Sequence, residues 1–206
     1  TELDGTQTVL ADRYQGKRFN SPNDIVVKSD DTIWFTDPDY GILSDFTGNK
    51  APSELGANHV FRLDPRTGEL RSVCGDMAKP NGLAFSPDER ILYVADSGAS
   101  HDLEGPHHIL AFDVADDGAL RNRRVFAVID AGIPDGFRVD VDGNVWTSAE
   151  DGVHCIAPDG ELVGKIRVPE TVANVTFGGP KRNRLFIAAG ASLYAVYVGT
   201  RGAQRP

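Results

Sequence analysis

The stretch Pro80-Asn-Gly-Leu-Ala-Phe85, followed by a turn at 86–90 and by Ile91-Leu-Tyr-Val-Ala95, decides the fold. A short polar step leads into an apolar run, a turn and a second apolar run, which is the pattern of a β-hairpin. The same unit begins at three more places, Pro22-Asn23-Asp24, Pro134-Asp135-Gly136 and Ala173-Asn174-Val175. The polar residues at 23, 81, 135 and 174 are 58, 54 and 39 positions apart. The shortest spacing is close to the roughly 40–50 residues of a four-stranded propeller blade.

A second hairpin follows each of the first three units, with turns rich in Asp, Gly and Pro. These hairpins cover 59–73, 108–128 and 153–166. Four antiparallel strands per unit, repeated along the chain, predict an all-β fold, a β-propeller. We expect one domain over residues 1–206 that contains about four and a half four-stranded blades.

The two ends of the chain predict incomplete blades. Residues 1–13 resemble the second hairpin of a blade whose first hairpin is missing, and Ser192–Val198 resembles a third strand without a clear fourth. A propeller removes its edge strands by closing on itself. We therefore expect a six-bladed parent protein, of which this chain lacks one or more N-terminal blades. The alternative, a complete chain, would need an irregular or five-bladed closure.

Composition excludes some classes of partner. The chain has 206 residues and a net charge of −9, with 40% hydrophobic and 25% charged residues. This acidity argues against nucleic acid and against an anionic membrane surface as partners. The sequence has no apolar stretch of about 18 residues that would predict a membrane span. We expect the natural start of the protein to lie upstream of Thr1, where a signal peptide could stand, so we expect either the cytoplasm or the periplasm. The sequence does not predict the oligomeric state.

The repeated polar step predicts a ring of ligands. If the first strand of each blade is innermost, Asn23, Asn81, Asp135 and Asn174 lie together at one end of the central channel. The long segments 37–57 and 96–107 open onto the same face, and loops of this length are usually functional. Tyr40 and Asp37 begin the first of them and could line a pocket there. The alternative is that Asn-Gly and Asp-Gly are turn dipeptides that a repeat fold reuses.

Several motifs resemble the SMP-30/gluconolactonase/luciferin-regenerating family of six-bladed propellers, and most closely its gluconolactonase-like branch. They span nearly the whole chain in the family's order: Asn20-Ser-Pro-Asn-Asp-Ile25, Trp34-Phe-Thr-Asp-Pro38 with Tyr40-Gly41, Lys79-Pro-Asn-Gly-Leu-Ala-Phe-Ser-Pro-Asp88 with Tyr93-Val-Ala-Asp96, Ile133-Pro-Asp-Gly136 and Asn174-Val-Thr-Phe-Gly-Gly179.

The resemblance implies a site for one divalent cation at the channel end. It implies that Asn81 and Asp135 are metal ligands and that Asn23 is a further ligand or substrate contact, with Asn20 as a rival for that role. The family's third ligand, a Glu from the first blade, has no counterpart in this chain. Oxygen ligands favour Ca²⁺, with Mg²⁺, Mn²⁺ or Zn²⁺ as alternatives.

The implied reaction is the hydrolysis of a sugar-type lactone to a hydroxy acid. Asp135 would be the catalytic acid and base, and Asn23, Tyr40 and Asn174 would contact the small-molecule substrate. Two other functions stay open at this point: a phosphotriesterase-like hydrolase that uses the same metal site, and a non-catalytic propeller that binds a partner through its face.

Overall fold

The computed structural model describes residues 3–204, and β-strands dominate the fold. Three four-stranded antiparallel sheets and one three-stranded sheet follow each other along the chain. Blade one contains β3 (Ile25–Val27), β4 (Ile33–Asp37), β5 (His59–Asp64) and β6 (Glu69–Cys74), and blade two contains β7 (Pro80–Phe85), β8 (Ile91–Asp96), β9 (His108–Val114) and β10 (Leu120–Val128). Blade three contains β11 (Phe137–Val139), β12 (Val145–Ala149), β13 (Gly152–Ile156) and β14 (Leu162–Arg167), and blade four contains β15 (Val172–Gly178), β16 (Arg184–Ala189) and β17 (Ser192–Tyr197).

The sheets are the blades of a β-propeller, as predicted. The first strand of each blade contacts the first strand of the next, so that β3 lies against β7, β7 against β11 and β11 against β15. The two helical elements are short and lie in the loops that follow the second strands: α1 (Tyr40–Leu43) in blade one and a 3₁₀ turn (Gly98–Ser100) in blade two. No helix in the described range is long and apolar enough to cross a membrane.

The N-terminal hairpin differs from the prediction. The structure places it at β1 (Arg13–Tyr14) and β2 (Lys17–Arg18), and it assigns no strand within 3–12; positions 1 and 2 lie outside the described residues. Gln15 and Gly16 between the strands both have positive φ, 51° and 79°, which is the backbone of a type I′ hairpin turn. The apolar residues that suggested an earlier strand, Val9 and Leu10, are 77% and 57% exposed, so burial does not stabilise one there.

Aromatic pairs hold neighbouring blades together. Trp34 on β4 is fully buried and meets Phe85 of blade two edge-on, with ring centroids 5.4 Å apart. Trp146 on β12 makes the same kind of contact with Phe177 of blade four at 6.0 Å. Such pairs contribute about 0.5–1.5 kcal/mol beyond the area that they bury. The repeat therefore places a tryptophan of one blade against a phenylalanine of the next.

The glycines of the polar steps allow the inner strands to approach each other. The Gly82 N–H donates to the Asp135 carbonyl (3.1 Å), and the Gly136 N–H donates to the Ala173 carbonyl (2.8 Å). A Cβ on Gly82 would lie 2.3 Å from the Asp135 oxygen. Gly82 lies within a strand and not in a turn, so close packing of blades, rather than turn chemistry, explains this Asn-Gly pair.

Two aspartates at equivalent positions, at the ends of the second strands of blades one and two, accept hydrogen bonds from the backbone just before the polar steps. Asp37, at the end of β4, accepts hydrogen bonds from the backbone N–H groups of Asn20 (2.9 Å) and Ser21 (2.8 Å). Asp96, at the end of β8, accepts from Ala78 (3.1 Å) and Lys79 (2.8 Å) in the same way. The expectation that Asp37 lines the pocket is wrong, because its side chain is fully buried and committed to its own blade.

Replacement of Gly82 by Ala should destabilise the fold by about 1–3 kcal/mol, because the added Cβ collides with backbone and not with a movable side chain. Urea unfolding of the purified protein measures this. Gly164→Ala is the matched control, since Gly164 also lies in a strand and a Cβ there would meet nothing within 4 Å. Equal stability of the two variants would contradict the close contact at Gly82.

Asp37 should make stability depend on pH. Burial raises the pKa of Asp37 from its ordinary 3.8 to about 6. Between these values the folded protein holds a proton that the unfolded chain has released, so the contribution of Asp37 falls as pH rises through this window. Asp37→Asn cannot ionise, and its stability relative to wild type should rise by up to about 3 kcal/mol between about pH 4 and about pH 7.

Urea unfolding at both pH values measures the difference, and other groups that titrate in both proteins cancel. Asp117→Asn is the control, because Asp117 is an exposed turn carboxylate that accepts one backbone hydrogen bond, from Ala119 (3.0 Å). It should show no such rise. A pH-independent difference for Asp37→Asn would mean that this carboxyl titrates normally.

Candidate active site

The inner strands begin at one end of the channel, which we call the mouth, and Asn81 is the most deeply buried polar side chain of the repeated steps there. It is 4% exposed, and its backbone carbonyl accepts a hydrogen bond from Thr36 Oγ1 of the neighbouring blade (2.8 Å). Its side-chain Oδ1 is buried and has no hydrogen-bond partner among the described residues. An unpaired buried oxygen costs about 1–3 kcal/mol, so this atom is available to a ligand.

Asp135 lies beside Asn81 and is half-buried. The Gly82 hydrogen bond to its carbonyl joins it to the strand of Asn81, and its own N–H donates to Ser148 Oγ (2.9 Å). Burial raises the pKa of Asp135 to about 6; the Asn81 side chain lowers this pKa and the negative charge of Asp24 raises it. The Asn81 amide, with its buried oxygen, and the Asp135 carboxylate are therefore neighbours at the mouth, and together they offer a donor set that suits a hard divalent cation.

Asp24 supports these two residues from blade one and was not singled out by its sequence. Its carboxylate accepts hydrogen bonds from Ile25 (2.8 Å) and from Leu83 (3.2 Å), which follows the Asn81-Gly82 step. Arg138 on β11 lies 3.6 Å away, and both side chains are largely buried. Asp24 thus links the inner strands of the first three blades.

The other two amides of the repeat are exposed. Asn23 precedes β3, and its N–H donates to the Thr36 carbonyl (2.9 Å). Asn174 lies in β15, where its side chain touches Gly136 and accepts a hydrogen bond from Val175 (2.8 Å). Both therefore have side chains that solvent reaches.

Asn20, the rival of Asn23, has a different environment. It is buried, its Nδ2 donates to the Ala57 carbonyl (2.9 Å), and its Oδ1 accepts from Ser53 Oγ (2.6 Å). Both ends of its side-chain amide are therefore hydrogen-bonded to the loop of blade one. Asn23, whose side chain is exposed, is therefore better suited than Asn20 to contact a ligand at the mouth.

Tyr40 brings the loop of blade one towards the mouth. Its hydroxyl lies 3.2 Å from Ser100 Oγ in the 3₁₀ turn of blade two. Burial raises the pKa of the Tyr40 hydroxyl, and the charge of Asp135 raises it further. The role of Tyr40 as a substrate contact stays a prediction.

A second cluster, in blade three, also has the spacing of metal ligands. Ligand atoms of Asp130, Asp151 and His154 lie within 4.8 Å of one another. However, Lys165 contacts both carboxylates, Arg167 pairs with Asp151, and His154 Nε2 lies 2.6 Å from Asp151 Oδ1. The two negative charges already have two positive partners, so the cluster is better explained as an ion-pair network.

Known proteins are similar to this chain in sequence and in fold. The chain is 38% identical over 206 residues to a gluconolactonase of Zymomonas mobilis. This match covers 95% of the chain and 55% of that relative. A solved structure of a gluconolactonase from Xanthomonas campestris superimposes with a TM-score of 0.88 at 43% identity, over 96% of this chain and 63% of that one. The chain thus spans about half to two thirds of the length of these relatives.

A regucalcin of Agrobacterium tumefaciens, described as a calcium-binding protein, shares the fold with a TM-score of 0.66 at 20% identity, over 89% of this chain and 62% of that one. The profile described as the SMP-30/gluconolactonase/LRE-like region matches residues 2–191. The resemblance seen in the motifs is confirmed, and the chain belongs to the SMP-30/gluconolactonase/LRE-like family.

Proposed function

We propose that the protein is a divalent-cation-dependent lactonase that opens sugar-type lactones to hydroxy acids. The observation that carries the proposal is Asn81, whose buried Oδ1 has no partner in the described part of the chain, beside the half-buried Asp135. The family and the similar gluconolactonases support the class of reaction.

Asn81 and Asp135 would hold the cation, and Asn23 would add a further amide oxygen at the same mouth. All three donors are oxygen atoms, which makes Ca²⁺ our first choice. When bound, a cation at this place supplies a positive charge that polarises the lactone carbonyl and lowers the pKa of a bound water. The Glu that the resemblance implies as a further ligand has no counterpart in this sequence.

Asp135 is the proposed general base and acid. Its carboxylate takes a proton from the water that attacks the lactone carbonyl, and it returns a proton to the ring oxygen as the acyl C–O bond breaks. The product is one hydroxy acid, so water is added and no second product forms; the acid ionises and gives up a proton to the solution. Exposed Asn23, exposed Asn174 and the Tyr40 hydroxyl would bind the sugar hydroxyl groups.

Replacement of Asp135 by Asn should lower kcat for glucono-1,5-lactone by about 10²–10⁴-fold, because the amide cannot transfer the proton. A pH-stat assay of acid release by the full-length protein measures this. Asp159→Asn, in the β13–β14 turn at the opposite end of the same blade, is the control and should keep wild-type activity. An Asp135→Asn variant with wild-type kcat would refute the assignment, and preferential turnover of a neutral phosphotriester by the wild-type protein would favour the phosphotriesterase function.

Replacement of Asn81 by Leu should separate stability from cation binding. The variant loses the unpaired buried oxygen, so without cation it should be as stable as wild type or up to about 1–3 kcal/mol more stable. Calcium at about 100 times its Kd should stabilise the EDTA-treated wild-type protein by about 2.7 kcal/mol but should not stabilise the variant.

Thermal unfolding with and without calcium measures both effects. Asn174→Ala is the control, because this exposed amide should retain the calcium response. Stabilisation of Asn81→Leu by calcium equal to that of wild type would exclude Asn81 as a ligand, and a wild-type protein that does not respond to any divalent cation would favour the non-catalytic propeller.

A further inference from the structure

Two loops meet over the mouth, and an ion pair joins the first of them to the segment that leads into the strand of Asn81. We call residues 38–58, after β4, the first loop and residues 97–107, after β8, the second loop. Lys79 precedes β7, and its ammonium pairs with the carboxylate of Asp39 in the first loop. The two side chains are only 13% and 24% exposed. An ion pair as sheltered as this one is less screened by salt than a pair on the open surface.

The same lysine holds the ring of Tyr40. Lys79 Nζ lies 5.5 Å from the centroid of the Tyr40 ring, within the range of a cation–π interaction. The His101 ring of the second loop packs against the tyrosine at a centroid distance of 5.5 Å and an angle of 42°. Because these neighbours restrain the ring, the hydroxyl group is the part of Tyr40 that can contact a ligand.

The second loop fixes the position of that hydroxyl relative to Asp135. Ser100 Oγ contacts the Tyr40 hydroxyl at 3.2 Å, and the Ser100 N–H donates to the Ser97 carbonyl at 2.9 Å. Ser97 Oγ donates to the carbonyl of Pro134, the residue before Asp135. The Ser97 N–H donates to the Lys79 carbonyl at 3.0 Å. Lys79, Tyr40 and the residue next to Asp135 are therefore connected through one short turn.

We propose that Lys79 is a positioning residue: with Asp39 it fixes Tyr40 so that the tyrosine hydroxyl contacts the lactone bound beside Asp135. This inference rests on the proposed function and extends it to Lys79 and Asp39, for which the sequence alone suggests no role. Lys79 itself does not contact the reacting atoms. It acts from a position two residues before Asn81, so the substrate-facing loop and the proposed cation ligand are held by the same short segment.

The test is a double-mutant cycle of Lys79→Met and Tyr40→Phe in the full-length protein, with KM and kcat measured on glucono-1,5-lactone. Each single variant should raise KM by about 2–10-fold, the size of one lost hydrogen bond, and should leave kcat within about twofold. The double variant should be no worse than the poorer single variant, because both changes remove the same contact. Lys79→Arg, in contrast to Lys79→Met, should keep the KM of the wild type, since Arg keeps both the ion pair and the contact with the ring.

Two further measurements separate positioning from general stabilisation. Hydrogen exchange of amides in the first loop should become faster in Lys79→Met, while exchange in β7 and β8 and the calcium-induced shift in Tm should not change. Asp39→Asn removes the ion pair without removing the lysine, so it should reproduce the effect on KM even if Lys79→Met folds poorly. Lys181→Met, an exposed lysine of blade four, is the control and should match wild type.

The outcomes distinguish this inference from the proposed function. If the wild-type protein opens lactones but the KM of Lys79→Met and Asp39→Asn is unchanged, or if the effects of Lys79→Met and Tyr40→Phe multiply, the positioning role is overturned. If the wild-type protein opens no lactone in the presence of calcium, the proposed function fails and the substrate contact of Tyr40 fails with it. A KM effect that is shared by both single variants and is not additive supports the positioning role.

Discussion

The contact between Gly82 and Asp135 is the constraint on which the site depends. The Gly82 N–H reaches the Asp135 carbonyl at 3.1 Å only because no Cβ separates the two backbones. This contact joins the inner strands of blades two and three just where Asn81 and Asp135 present their side chains. Thr36 and Asp24 hold the same step from blade one. A small residue in the repeat therefore determines how closely two chemically useful side chains approach.

The mouth is less stable by itself than an apolar packing of the same strands would be. Asn81 buries an oxygen that has no partner within residues 3–204, and burial opposes the ionisation of Asp135. A bound cation would satisfy both groups, so binding and folding are linked at this place. The aromatic contacts Trp34–Phe85 and Trp146–Phe177 lie between neighbouring blades and stabilise the packing of the blades around the site. Tyr40 and Lys79 then order the loops above it.

The fold could be predicted from the sequence because each blade is local in the chain. The polar steps, turns and apolar runs recur in phase, and the structure confirms the propeller and the third strand at Ser192–Tyr197. The N-terminal hairpin was misplaced because the pattern of Val9 and Leu10 does not reveal that they stay exposed. Asp37 was expected in the pocket because a sequence does not show to which side a carboxylate at a strand end turns.

The contacts that complete the candidate site could not be predicted, since they join blades that are distant in sequence. Asp24 bonds to Leu83 over 59 positions, and Lys79 reaches Asp39 over 40. The metal-like spacing of Asp130, Asp151 and His154 also appears only after folding, together with the cations that neutralise it.

The most direct test is a crystal structure of the full-length protein grown with manganese, a cation that anomalous diffraction locates without ambiguity. We expect one strong anomalous peak at the mouth, bound by Asn81 Oδ1 and the Asp135 carboxylate, with Asp39, Lys79 and Tyr40 arranged as described. A peak at Asp130, Asp151 and His154 with none at the mouth would contradict a cation-dependent active site at Asn81 and Asp135.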